Sequence, residues 1–145
     1  MFDSEQFKRA FPKGRKIKKL TEAKLQLMVC KYIRAQYPSV RFISSLTGEY
    51  QSSRTVRARN SAIQWGRGQP DLMIMVSRHP YCGLAIEIKT LENTPYLEAD
   101  GGLKKDEHLV DQLGWLVYMG KMGWKADFGV GFDEIKEMID QYLSK

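Results

Sequence analysis

Cysteine and histidine are scarce in this chain of 145 residues, and long apolar runs are missing altogether. Two cysteines, Cys30 in a helical pattern and Cys82 in a turn, make neither a disulfide framework nor a zinc site, so both are read as reduced thiols. The two histidines, His79 and His108, pair neither with cysteine nor with each other at metal-ligand spacing and are read as surface residues. No apolar stretch approaches the roughly 18 residues that span a bilayer, and the first residues lack a charged-then-apolar secretory pattern. An intracellular protein without a membrane partner is expected. Internal repeats, low-complexity tracts and linkers are likewise absent from the sequence.

What is present is the composition of a folded domain: 43% hydrophobic and 28% charged residues argue against disorder. The length suits one real core, expected over residues 21–145, preceded by a basic arm over residues 1–20. The net charge of +6 is unevenly placed. Residues 1–60 hold fourteen Lys or Arg against four Asp or Glu, whereas residues 61–145 hold nine against thirteen. The arm concentrates Lys13, Arg15, Lys16, Lys18 and Lys19, and a second basic stretch brings Arg54, Arg57 and Arg59, followed by Arg67. Such clusters suit salt-sensitive phosphate contacts; a solvated, solubilising surface is the alternative.

Thr21 is the expected N-cap of a first helix in which Leu25, Met28, Val29, Tyr32 and Ile33 recur at helical spacing, with Pro38 marking its end. Glu22 falls on the same stripe as Leu25, Val29 and Ile33 and is expected to face inward. A carboxylate there also favours the positive end of the helix dipole, whatever else it does. A strand is expected over Val40–Ser45, then a polar, basic stretch leading into a short helix near Val56–Trp65, closed by Gly66. That helix would bring Arg57, Arg59 and Arg67 close to the turn at Pro70. Trp65 reads as a core or lid residue, with base stacking as the alternative. Farther on, Leu91–Gly102 reads as a mobile loop, Lys105–Met122 as a helix with Leu109, Leu113, Leu116 and Met119 or Gly120 on its core face, and Trp124–Gly131 as a strand. Asp133 is the expected cap of a last helix with Ile135, Met138, Ile139, Tyr142 and Leu143. The order predicts a mixed α/β sheet flanked by helices.

The chain is organised around Gly68–Lys89. Asp71 opens one apolar run, and Glu87 and Lys89 interrupt a second at i and i+2, which in a strand points both side chains to one face. A short turn containing Pro80 and Gly83 makes the two runs antiparallel neighbours and brings Asp71 near Glu87 and Lys89. Carboxylates gathered on a sheet face repel unless a cation neutralises them, and hard oxygen ligands suit Mg²⁺ or Mn²⁺. Such a cluster is suited to a phosphodiester, with Lys89 placed to orient water and offset charge on phosphorus. The alternative is a turn Asp and a solvated Glu–Lys pair.

These residues carry a resemblance. Gly68-Gln69-Pro70-Asp71, then Glu87-Ile88-Lys89 about sixteen residues later, then Gln112-Leu113-Gly114-Trp115-Leu116, preceded by the Gly66-x-Gly68 turn, resemble the active-site signature of the PD-(D/E)XK nucleases in its virus-type replication-repair (VRR-NUC) form. The resemblance runs from about Thr21 to Val130. It implies a restriction-endonuclease-like core and a Mg²⁺- or Mn²⁺-dependent DNA endonuclease. Asp71, Glu87 and the backbone carbonyl of Ile88 would be metal ligands, joined by Glu22 from Thr21-Glu22-x-x-Leu25-Gln26. Gln26 would support Glu22, Lys89 would position the attacking water, and Gln112 would hydrogen-bond that water or the Lys89 amine. Stand-alone members resemble Holliday-junction resolvases, which implies branched DNA as partner and a two-fold homodimer, with Tyr118, Met122 and Trp124 as candidates for its face. Flap or 5′-end processing, and a DNA-binding module that merely retains the nuclease fold, are the other readings. The family's helix carries Ser or Thr three residues before its Gln; here that position is Leu109.

Overall fold

The computed structural model describes residues 19–45 and 53–144. Four helices and four strands alternate along these segments: α1 (Glu22–Gln36), β1 (Phe42–Ser44), α2 (Arg54–Ala62), β2 (Leu72–Ile74), β3 (Leu84–Lys89), α3 (Glu107–Lys121), β4 (Lys125–Val130) and α4 (Phe132–Leu143). The strands lie side by side in chain order. β1 and β2 are antiparallel, as are β2 and β3, while β4 returns parallel to β3 after the α3 crossover. The expected mixed α/β architecture is therefore the one observed.

Side-chain alternation along β3 divides the molecule. Leu84, Ile86 and Ile88 face a core closed by Leu25, Val29 and Ile33 of α1 and by Ile135, Ile139 and Tyr142 of α4. Ala85, Glu87 and Lys89 point the other way, toward the side where α3 packs on β3 and β4. All six residues of β3 are buried, as in a strand covered on both faces. Asp140 on α4 accepts hydrogen bonds from the hydroxyls of Tyr32 and Tyr37 at 2.5 and 2.6 Å, which locks α4 to the outer side of α1.

Several local readings need correction. The short helix begins earlier than expected, at Arg54 on a Ser53 cap, and stops at Ala62, because the Ser53 hydroxyl accepts from the Val56 N–H. Asp133 lies inside α4 rather than capping it. Gly131 holds the N-cap position, and Glu134 reaches back to accept from the Val130 N–H at 3.2 Å. The third helix buries Gln112, Leu116 and Met119, leaving Leu113 exposed, so its inner face is turned toward Gln112 relative to the apolar stripe. Asp106 caps it by accepting from His108 and Leu109, which supplies the start that Leu109 does not. Residues 91–102 form a loop, as expected, in which Pro95 is buried and the Leu97 N–H donates to the Gly102 carbonyl.

Gly68 is where the loop before β2 crosses α3. Its φ is +88°, and a Cβ added there would lie 2.6 Å from the Asp111 carbonyl carbon. Any other residue therefore meets both backbone strain and a fixed helix backbone. Gly68→Ala is expected to lower stability by about 2–4 kcal/mol, a fall in melting temperature of about 2–4 °C per kcal/mol that thermal denaturation reads directly.

Candidate active site

Asp71 sits immediately before β2, and continuing the Leu72–Ile86 pairing by one step places it opposite Glu87. Its carboxylate Oδ2 accepts the Ile88 backbone N–H at 2.9 Å, taking the ladder position that β2 leaves vacant. The loop carrying it is tethered from α1. The Gln26 amide donates to Ser44 Oγ at 2.7 Å, to the Ser45 carbonyl at 2.8 Å and to the Asp71 carbonyl at 3.3 Å. Gln26 therefore braces the backbone of Asp71 rather than Glu22. The signal for it in the sequence is its place one helical turn after Glu22, at the edge of the buried stripe.

Glu87 is 3% exposed. Its Oε1 accepts from the Gln112 amide at 2.5 Å and lies 3.7 Å from the Lys89 ammonium, itself buried. Gln112 was expected to meet water or Lys89; its partner is Glu87, because α3 presents Gln112 to the odd-numbered face of β3. On its other side Lys89 lies 3.8 Å from Glu22, whose side chain is 40% exposed at the head of α1. Glu22 thus points partly inward, as its place on the stripe predicts, but toward Lys89.

Burial pushes the Asp71 carboxyl above the usual carboxylate range, against the pull of the Ile88 N–H. Burial, with the charge of Asp71 added, raises Glu87 to about 9. Two buried oxygens, Glu87 Oε2 and Gln112 Oε1, have no hydrogen-bond donor. A hard divalent cation answers all three conditions: it neutralises a repelling pair, replaces the proton on Glu87 and coordinates orphaned oxygen. Among the described residues no three Asp, Glu, His or Cys side chains converge closely enough to enclose a metal, so the implied set of Glu22, Asp71 and Glu87 does not close. Two carboxylates suffice for Mg²⁺, whose remaining positions go to water and phosphate oxygens.

The basic residues are dispersed around this centre. Lys13, Arg15, Lys16 and Lys18 lie outside the described residues. Lys19 pairs with Glu92 at 2.5 Å and Arg67 with Asp111 at 3.1 Å, while Arg54, Arg57 and Arg59 are exposed on α2, a helix with no buried residue. Trp65 is neither core nor buried lid: it is 82% exposed, with its ring against Trp115. Trp115, quoted in the signature but given no role there, donates its indole N–H to the Arg67 carbonyl at 2.9 Å. Tyr118 and Met122 are exposed, whereas the Trp124 ring packs over Gly83, where a Cβ would fall 2.3 Å from it. No helix among the described residues is long and apolar enough to cross a membrane.

No family model matches the sequence, and no curated protein does. A solved structure described as a VRR_NUC domain protein superposes with a TM-score of 0.59 over 88% of this chain and 92% of its own, at 23% identity. The chain shares the fold of that VRR_NUC domain protein, a mixed α/β sheet flanked by helices.

Proposed function

We propose that on this VRR-NUC fold the chain is a Mg²⁺- or Mn²⁺-dependent endodeoxyribonuclease that hydrolyses phosphodiester bonds in branched DNA, with the four-way junction as its leading substrate. The observation that carries this reading is the buried Asp71–Glu87 pair flanked by Lys89, an arrangement that costs stability and that DNA binding alone does not require.

Asp71 and Glu87 would hold the cation, together with the Ile88 carbonyl, which leaves the strand on the same edge as the Ile88 N–H. When bound, the cation neutralises the scissile phosphate and acidifies the attacking water. The chain's own residues do the rest. The Ile88 N–H fixes Asp71 in rotamer, and Gln112 holds Glu87 without adding charge. Lys89, poised between Glu22 and Glu87, orients the water and offsets charge growing on the phosphoryl oxygens. Glu87 must give up its proton to admit the cation, so metal affinity should rise with pH toward about 9, the value to which burial and Asp71 lift it.

Resolving a junction takes two symmetric cuts, so this reading includes a two-fold homodimer. Leu113 and Val117 leave an exposed apolar stripe on α3 for a second copy.

The test is cleavage of end-labelled four-way junction, 5′-flap, splayed-arm and linear duplex DNA in Mg²⁺, Mn²⁺ and chelator. Paired symmetric nicks in the junction, abolished by chelator, are the expected result. Preference for flaps moves the protein to end processing. Metal-independent binding without cutting anywhere overturns the enzymatic reading.

A further inference from the structure

A groove of about 840 Å³ lies between the Gly66–Arg67 turn and the outer face of α3. Its size is in the range of ligand clefts, about 300–1,000 Å³. Trp65, Trp115 and Tyr118 line it as a row of rings, with centroids 5.8 and 6.3 Å apart and each neighbour turned edge-on to the next. This is not core packing, because Trp65 is 82% and Tyr118 56% exposed. The Trp115 indole is held in place by its hydrogen bond to the Arg67 carbonyl, so the platform is rigid before anything binds.

Gly114 gives an independent sign. It occupies the middle of α3, where glycine weakens a helix, yet a Cβ there would meet no heavy atom within 4 Å. No packing of the fold requires glycine there, and a side chain at this position would project into the groove that Gly114 lines. Charge points the same way. The Arg67 guanidinium at the rim is mostly exposed but is matched by Asp111, so the excess positive charge comes from α2, just ahead in the chain, which displays Arg54, Arg57 and Arg59. The groove is linked to the reaction centre through the helix between them: Gly68, next to the groove-lining Arg67, rests on the Asp111–Gln112 backbone, and Gln112 holds Glu87.

We infer that this groove stacks an unpaired base of the strand being cut, so that the substrate carries single-stranded nucleotides beside the scissile bond. This rests on the nuclease reading above and narrows its substrate class. Aromatic faces with arginine at the rim accept any base by its π-face and take the backbone by charge. An intact duplex keeps those faces stacked inside, whereas a flap, a splayed arm or an opened crossover offers them. The other occupant for an exposed aromatic groove is a second copy of this chain; the three exposed arginines of α2, which ends three residues before Trp65, favour the nucleotide.

The experiment measures binding of dye-labelled oligothymidylate in chelator, by anisotropy, for the parent protein, Trp65→Ala and Gly114→Leu. The parent should bind, Trp65→Ala should bind about tenfold more weakly, and Gly114→Leu, which fills the groove while leaving every ring in the chain, should lose a similar factor. Melting temperatures should not fall in either variant, since both positions face open space. Oligothymidylate binding that is absent in the parent, or equal in all three, overturns the assignment. So does light scattering in which Gly114→Leu breaks up an oligomer while oligothymidylate binding stays unchanged. Cleavage assays run alongside separate the two ideas: DNA cutting with variants that bind normally removes the groove alone, and variant-sensitive binding without any cutting removes the nuclease alone.

Discussion

Replacing Glu87 with Gln is expected to give a protein that no longer cuts DNA and yet unfolds at a higher temperature than its parent. The cation site loses one of two carboxylates, so activity should fall by about three orders of magnitude or more, equivalent to a few kcal/mol of transition-state stabilisation. Stability moves the other way. Glu87 titrates near its ordinary 4.5 when the chain is unfolded and at about 9 when folded. Between those values the folded state binds the extra proton, so the stability of the metal-free protein falls as pH rises, by up to about 1.4 kcal/mol per pH unit. Asp71, also raised by burial, adds to the slope with the same sign. Glutamine keeps the shape and a polar partner for Gln112 while removing the charge. Thermal melts in chelator at about pH 5 and pH 8 should therefore show a steep loss for the parent and a flatter profile for the variant, more stable by about 2 kcal/mol or more at the higher pH. Equal slopes would show that Glu87 is not held protonated.

Asp71 separates charge from hydrogen bonding. Asp71→Asn and Asp71→Ala should both abolish cutting, because both remove a ligand, but they should not be equally stable. Asparagine still accepts the buried Ile88 N–H with its amide oxygen and relieves the repulsion with Glu87. Alanine relieves the same repulsion and leaves that N–H without an acceptor, which costs about 1–3 kcal/mol. Chemical denaturation of the pair, with the parent as reference, reads this difference directly. A variant pair of equal stability would mean that the Asp71–Ile88 bond is not what holds the turn in place.

How far the sequence reveals this site follows from which physical signals have a period. Glu87 and Lys89 share a face because strands alternate, and the short connection that pairs Ile74 with Leu84 leaves Asp71 nowhere to go but opposite Glu87. The helices α1 and α4 were legible for the same reason: Leu25, Val29 and Ile33, then Ile135 and Ile139, repeat with the helical turn and are buried. Periodicity misleads at α3, where the buried position is a glutamine. A stripe drawn through apolar residues alone selects Leu113, which is exposed, and passes beside Gln112, which is not. Gln26 was misassigned for a related reason. Its partners, Ser44, Ser45 and Asp71, come from two other parts of the chain, and no local pattern records a three-way tether. Trp65 shows the limit of composition as a guide: a large aromatic is usually buried, and here Trp65 and Tyr118 stand exposed on either side of a half-buried Trp115.

The two-sided burial of β3 has a consequence in time. Glu87 and Lys89 are in place only when α1, β2 and α3 have all docked, for these supply Glu22, Asp71 and Gln112. The core on the opposite face of the same strand closes only when α4, the last helix, has arrived as well. A chain still emerging from the ribosome has the residues of a nuclease but not the juxtaposition. On the proposed activity, folding acts as a safety catch: only nearly the whole tertiary structure assembles the carboxylates and Lys89, and whatever loosens the sheet takes the site apart before it disperses the chain.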